Sequence, residues 1–252
     1  MSVEIETAMV LAAGLGKRMR PLTDTMPKPM VPLAGRPLID HVLNRLEEAG
    51  IKRAIVNVHY KADILEAHIS ARTRARRGPF VIVSNERGLL LETGGGVAKA
   101  LPLLGSRPFL ICNSDTTWVE QETRNLSQLS EAWNEEVMDG LLLLAQKDRS
   151  LGYAGDGDFH MAADGKLTRR AAGEVSPLVF AGVSIAHPRL FEDAPSGAFS
   201  LNVLWDRAIS GGRLHGIALD GWWMHIGTPP ALIEAERFIT KLDAQGGDQN
   251  AI

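Results

Sequence analysis

The residues with the most chemistry in their types and spacing lie in Leu11-Ala-Ala-Gly-Leu-Gly-Lys-Arg-Met-Arg-Pro-Leu-Thr23, which continues to Pro27-Lys28-Pro29. Glycine at positions 14 and 16 lets backbone N–H groups approach a ligand closely and permits positive φ. Successive amides in such a loop form an anion nest. Lys17 and Arg18 follow at once, and the Arg18 guanidinium is a fork that fits phosphate oxygens. Lys28, held between two prolines, sits on a stiff segment that restricts its ammonium. The stretch reads as a bed for a triphosphate, with an ordinary glycine-rich turn as the alternative. Two other phosphate loops are excluded. Gly14-Leu-Gly16 does not complete Gly-x-Gly-x-x-Gly, because Met19 holds the last position, and Gly16-Lys17 is followed by Arg18 where a P-loop needs Ser or Thr.

Further stretches carry functional groups. Three successive glycines in Leu91-Glu-Thr-Gly-Gly-Gly96 precede an expected helix; they permit close packing against a base or sugar, and a helix N-terminus favours anions. Asn113-Ser-Asp115 ends an expected strand, where open α/β sheets gather ligands. A carboxylate there suits magnesium, which takes one or two carboxylates with phosphate oxygens and water; an Asp capping a helix is the alternative. Trp222-Trp-Met-His225 adds an imidazole beside tryptophans, and Leu151-Gly-Tyr-Ala-Gly-Asp-Gly-Asp-Phe159 reads as a polar turn. Cys112 falls in a buried strand and reads as inert core. Arg72, Arg74, Arg76 and Arg77 read as a solvated helix end and loop, with an anion-binding role as the alternative.

The elements that must position these groups alternate. Thr7 to Ala12 reads as a buried strand, and Ala54 to Val58, Phe80 to Val83 and Phe109 to Cys112 read as the second, third and fourth strands. Pro37 to Ala49, Ala62 to Ala71 and a segment beginning near Gly96 read as helices from their apolar spacing. This rhythm predicts a mainly parallel sheet covered on both faces. Beyond Asp115, Gln121 to Trp133 reads as helix and Leu141 to Ala145 as strand. Short strands at Asp158 to Met161, Lys166 to Thr168 and Val179 to Ile185 read as antiparallel additions. Ser200 to Ser210 is an expected helix, Leu214 to Leu219 a strand, and Pro229 to Leu242 a closing helix with Thr228 as N-cap.

The 252 residues, 45% of them hydrophobic, suffice for a substantial core. Lys and Arg number 27 against 30 Asp and Glu, a net charge of −3, which disfavours nucleic acid and membrane surfaces as partners. A single cysteine rules out an intrachain disulfide and fits a cytoplasmic protein. The first residues lack a basic leader region, and no run of about 18 apolar residues predicts a spanning helix.

Leu-Ala-Ala-Gly-x-Gly-x-Arg-Met-x-Pro-Leu-Thr followed by Pro-Lys-Pro resembles the fingerprint of the sugar-1-phosphate nucleotidylyltransferases. The resemblance covers nearly the whole chain. Leu91 to Gly105, Gly157-Asp-Phe159 and Phe180-Ala-Gly-Val-Ser184 are most similar to the branch acting on UTP and N-acetylmuramate 1-phosphate in peptidoglycan recycling. The resemblance implies a Rossmann-like mixed, mainly parallel sheet with helices on both faces, the nucleotide-diphospho-sugar transferase fold. It implies one domain over 1–242, with a nucleotide-binding part to about 120 and a sugar-binding part after it; the polar residues 243–252 read as a flexible tail. Arg18, Lys28 and Asp115 are its implied catalytic residues. Leu11, Ala12, Ala13, Gly14, Gly16 and Lys17 would join Arg18 and Lys28 around the nucleotide, with Glu92 and Gly95 at the base. Asn113, Gly152, Tyr153 and Asp156 would border the acceptor sugar, while Glu174 is a less secure match. The implied cofactor is Mg2+, held by Asp115, and the implied partners are UTP and a sugar 1-phosphate.

Two positions depart from the family pattern. Ser114 replaces a middle glycine, and His225 stands where relatives carry a second metal aspartate. An imidazole suits manganese better than magnesium, so Mn2+ is admitted. His225 could ligate the ion, hold a metal-bound water, or be structural, leaving Asp115 the sole ligand, with Asp220 as a nearby substitute. Three other functions stand against the first reading: another sugar and base, such as mannose 1-phosphate with GTP; a sugar-nucleotide sensor without turnover; and a dinucleotide oxidoreductase, disfavoured by the incomplete glycine fingerprint.

Overall fold

The computed structural model describes residues 4–244. Its first half is the expected alternation. Strands β1 (Thr7–Leu11), β2 (Arg53–Val58), β3 (Phe80–Asn85) and β4 (Phe109–Asn113) run parallel in the order β3-β2-β1-β4. Parallel neighbours need long crossovers; helices α1 (Leu38–Glu48), α2 (Ala62–Arg74) and α3 (Glu92–Leu104) lie between them in sequence. The order reverses between β1 and β4, so the carboxyl ends of β1, β2 and β4 open a crevice at the switch point.

The second half completes the sheet and adds a small one. It comprises β5 (Thr116–Glu120), α4 (Asn125–Ala132), β6 (Gly140–Gln146), β7 (Phe159–Met161), β8 (Leu167–Arg169), β9 (Leu178–Ala186), α5 (Leu201–Ser210), β10 (Leu214–Ala218), β11 (Gly221–His225) and α6 (Pro229–Ala244). Strand β9 is antiparallel to both β4 and β6, and β10 then pairs parallel with β6. The β7–β8 hairpin joins the other end of β9. Strands β5 and β11 pair antiparallel in a separate sheet, with Thr116 opposite His225.

Strand alternation divides the core. Ala8 and Val10, Ala54 and Val56, Leu110 and Cys112, and Leu141 and Leu143 face one side, packed with Leu43 and Leu46 of α1, Leu65 of α2 and Leu129 of α4. Met9, Ile55, Ile111 and Leu142 face the other, against Val97 and Ala100 of α3 and Leu204 and Trp205 of α5. Strands buried on both faces explain their continuous apolar runs. A third cluster, including Met19, Val31, Leu33, Met224, Ile226 and Ile239, joins the opening loop to β11 and α6. Met19 is fully buried. Its transfer from water is worth about 1.5–3 kcal/mol, enough to offset ordering one or two loop residues.

Several boundaries differ from the expectation. Helix α3 begins at Glu92, so Gly94, Gly95 and Gly96 lie inside it and not before it. The helix expected over 121–133 contracts to α4, preceded by β5 and a turn. There Asp220 Oδ2 accepts from the Glu122 and Thr123 N–H groups and the Thr123 hydroxyl. That carboxylate stabilises the turn and is no substitute for one beside His225, at the other end of β11. Helix α6 continues through Asp243 and Ala244; the rest of the expected tail, residues 245–252, lies outside the described residues. Arg72 is buried, not solvated: it donates to Asn44 Oδ1 at 2.6 Å and pairs with Asp40 at 3.1 Å, clamping α2 to α1.

Candidate active site

A cavity of about 400 Å³ opens at the carboxyl ends of β1, β2 and β4. Leu11, Ala12, Ala13 and Gly14 form one wall, Leu90, Glu92 and Thr93 another; Lys28, Pro29, Asn57, Asn113, Ser114, Asp115 and Ser200 complete the lining. Gly14 faces open space, with nothing within 4 Å of the place a Cβ would take. Gly16 adopts φ 63° and its carbonyl accepts from the Thr23 hydroxyl at 2.8 Å, folding the loop back toward Lys28. Lys17 and Arg18 are exposed and do not line the cavity.

Lys28 Nζ donates to Asp115 Oδ2 at 2.6 Å, joining groups 87 residues apart. The stiff Pro27-Lys28-Pro29 segment forms a 3-10 turn closed by Val31 N–H donating to the Lys28 carbonyl at 3.0 Å. Ser114 explains its replacement of glycine: its N–H and its hydroxyl both donate to the Leu11 carbonyl, at 3.2 and 2.8 Å, tying the ends of β4 and β1 together. The Asp115 carbonyl accepts from Ile226 N–H at 2.9 Å, so β5–β11 pairing sets His225 beside Asp115. The His225 ring packs on Trp223 with centroids 5.7 Å apart and lies under Gly227, near the Arg18 guanidinium.

Charge follows from this geometry. Burial pushes the Asp115 carboxyl up, but the Lys28 ammonium and His225 outweigh it, and its pKa falls below the ordinary aspartate value. Burial lowers the His225 pKa; Asp115 opposes this, and Lys28 and Arg18 reinforce it. His225 is therefore a neutral imidazole at pH 7, the form that binds metals. Burial alone pushes the Cys112 thiol up to about 12, as an inert core cysteine requires.

The glycine run has another purpose than the one expected. Gly94 and Gly95 N–H both donate to the Phe199 carbonyl, at 2.8 and 3.1 Å, so amides in the first turn of α3 are already satisfied. A Cβ at Gly94 would overlap the Phe199 ring, and one at Gly95 the Gly197 carbonyl oxygen. Glu92 lines the cavity; Gly95 is not brought to its wall. Gly152 is likewise crowded by protein: a Cβ there would meet the His225 carbonyl oxygen and Ala231. Tyr153 packs against Trp223 with the rings tilted and their centroids 5.9 Å apart, and its hydroxyl accepts from Gly157 N–H. Asp156 is exposed. Asn113 lines the cavity, whereas Gly152, Tyr153 and Asp156 lie outside its lining. Asn57 and Ser200 escaped the sequence reading; the signal for Asn57 was one polar residue inside the apolar run Ile55-Val-Asn-Val58.

Among the described residues no group of three or more His, Cys, Asp and Glu could hold a metal ion by itself. Any ion here would combine the Asp115 and His225 side chains with substrate oxygens.

The nucleotidyl transferase family matches residues 7–154. An N-acetylmuramate alpha-1-phosphate uridylyltransferase of Caulobacter vibrioides is 47% identical over 94% of this chain and 98% of its own. One of Neisseria meningitidis serogroup B is 34% identical over 91% and 96%. A mannose-1-phosphate guanyltransferase of Aspergillus fumigatus is 28% identical, and the match spans 61% of its length. In fold, the chain resembles a UDP-glucose pyrophosphorylase complexed with UDP-glucose, with a TM-score of 0.75 and 17% identity over 94% of this chain and 99% of that one. The inositol-1-phosphate CTP transferase from T. maritima gives 0.72 and 17% over 92% and 93%.

Proposed function

The chain belongs to the nucleotidyl transferase family, and from that premise we propose that it transfers a uridylyl group from UTP to N-acetylmuramate 1-phosphate, releasing pyrophosphate. The observation that carries the reading is the Lys28–Asp115 pair at the rim of a cavity walled by the Leu11–Gly14 backbone. The two relatives at 47% and 34% identity supply the choice of base and sugar. Residues up to about 120 hold the nucleotide in this reading, and later ones the acceptor. The reaction would serve peptidoglycan recycling, in the cytoplasm where UTP is drawn.

A phosphate oxygen of the acceptor attacks the α-phosphorus in line, and pyrophosphate leaves opposite. The nucleophile is already an anion, so no strong base is needed; positioning and charge stabilisation must supply the rate. The Ala13 to Gly16 backbone and Arg18 receive the outer phosphates. Lys28 stands between the α-phosphate and the incoming phosphate. Asp115 and a neutral His225 fit a divalent ion: one hard carboxylate suits Mg2+ with phosphate oxygens and water, and the added imidazole suits Mn2+. Such an ion would supply charge neutralisation at the phosphoryl oxygens.

Pyrophosphate release measured with UTP, GTP and CTP against N-acetylmuramate 1-phosphate and mannose 1-phosphate, in Mg2+ and in Mn2+, tests the reading. The expected maximum is UTP with N-acetylmuramate 1-phosphate. A maximum with GTP and mannose 1-phosphate replaces it with the guanylyltransferase reading. Tight UDP-sugar binding without turnover in either metal makes the chain a sensor.

A further inference from the structure

A polar pair that the phosphate chemistry does not use runs inward from the cavity wall: Asn57 lines the cavity and Glu86 does not. Asn57 is 2% exposed and Glu86 1%. The Ala12 N–H donates to Asn57 Oδ1 at 2.6 Å, Asn57 Nδ2 donates to Glu86 Oε1 at 2.8 Å, and Leu91 N–H donates to Glu86 Oε2 at 3.2 Å. The carboxylate is thus held by an amide and a backbone N–H, with no cation paired to it among the described residues. Its own backbone is locked as well, Glu86 N–H donating to the Val58 carbonyl and the Glu86 carbonyl meeting His59 Nδ1. Gly96 admits the pair: a Cβ there would come within 2.9 Å of both Asn57 Nδ2 and Glu86 Oε1. Burying a carboxylate is costly unless its hydrogen bonds are complete, and these bonds span the site from one wall to the other.

The far end of the chain of bonds has a structural consequence. Leu91 is held on both faces, its N–H by Glu86 and its carbonyl by Phe199 N–H at 3.2 Å. The next residue, Glu92, takes φ 58°, a conformation uncommon outside glycine. Such backbone persists where the surroundings over-determine it, and Glu92 lines the cavity.

We propose that Asn57 and Glu86 are positioning residues for the nucleotide. By tying the Ala12 N–H to the Leu91 N–H they set the spacing between the phosphate-side wall and the Leu90–Thr93 wall. They therefore govern UTP affinity while leaving the acceptor sugar phosphate largely unaffected. The inference rests on the reading that UTP occupies this cavity.

Hydrogen-bond direction supplies the test. In Glu86→Gln no combination of amide orientations at positions 57 and 86 satisfies all three bonds: one donor–donor contact remains, with Asn57, with Leu91 or between Asn57 and the Ala12 N–H. The swap Asn57→Asp with Glu86→Gln restores all three bonds and the net charge. The carboxylate now at position 57 accepts from the Ala12 N–H and from the amide now at position 86, whose carbonyl oxygen accepts from the Leu91 N–H. Glu86→Gln should raise the KM for UTP about tenfold, with kcat and the acceptor KM changed less than about threefold. The swap should return the KM for UTP to within about threefold of the parent. Equal losses toward both substrates, or a folded swap that still binds UTP weakly by calorimetry, overturn the inference. Should Glu86→Gln fail to fold, the swap alone decides it. A parent that binds no UTP overturns the nucleotide reading and this inference together; a parent and a Glu86→Gln variant that bind UTP equally overturn this inference alone.

Discussion

Two glycine-bearing stretches face each other across the cavity, and they use glycine for opposite ends. In Leu11–Thr23 the glycine at 14 stands before open space, leaving backbone free for a ligand. In Leu91–Gly96 the glycines stand against protein: Phe199, Gly197, and the Asn57–Glu86 pair. Both stretches suggest close approach when read as sequence. Only the surroundings tell whether the approaching partner is a substrate or the chain itself.

The largest effect that would break this contrast lies in the second stretch. Gly95→Ala should cost about 3 kcal/mol or more, since the obstacle is a backbone carbonyl that cannot step aside. A variant that melts like the parent in urea removes the packing account. Next comes Lys28→Ala, expected to lose about 10²-fold or more in turnover while its circular dichroism stays native. Near-normal pyrophosphate release from folded Lys28→Ala protein would leave the first wall without its catalytic group.

A smaller effect sharpens the contrast at the rim. Burial holds the His225 pKa below 6.5, so the unfolded chain takes up a proton there before the folded one does. Its contribution to stability is whole above pH 6.5 and declines as pH falls below that value. His41, His187 and His215 are lowered too, so the informative quantity is a difference. In metal-free buffer, His225→Gln should lose less stability than the parent between about pH 7.5 and about pH 5.5; an equal loss would place the shift elsewhere. Smallest of all, Gly14→Ala should leave the melting free energy within about 0.5 kcal/mol. If the loop backbone meets phosphate, its KM for UTP rises nonetheless. An unchanged KM would reduce the open glycine to an ordinary turn.

Much of the fold was legible because its signals are local. The apolar runs at Thr7 to Ala12 and Phe109 to Cys112 and the helical spacing of Pro37 to Ala49 predict a parallel sheet covered on both faces, and the structure has one over nearly the same bounds. The sequence carries no strand expectation over 116–120, just before the helix expected over 121–133, or over 221–225, where the structure has β5 and β11. Their identity depends on pairing with each other across about a hundred residues of chain, which no window of periodicity contains. At the site, Leu11–Gly14, Lys28, Glu92, Asn113 and Asp115 were named in advance and line one cavity. Gly95 and Gly152 were assigned to ligands and turned out to face backbone.

The division follows from what each level can know. Sequence alone determined the strand–helix rhythm, the glycine–proline loop with its basic residues and the family resemblance, because backbone freedom, helical period and motif spacing belong to neighbouring residues. Tertiary structure decided that Lys28 meets Asp115, that Ser114 ties β4 to β1, that His225 arrives beside Asp115, and that Asn57 and Glu86 join the two walls. Those contacts depend on strand order and register, which bring distant strand ends together and fix which side chains share a face.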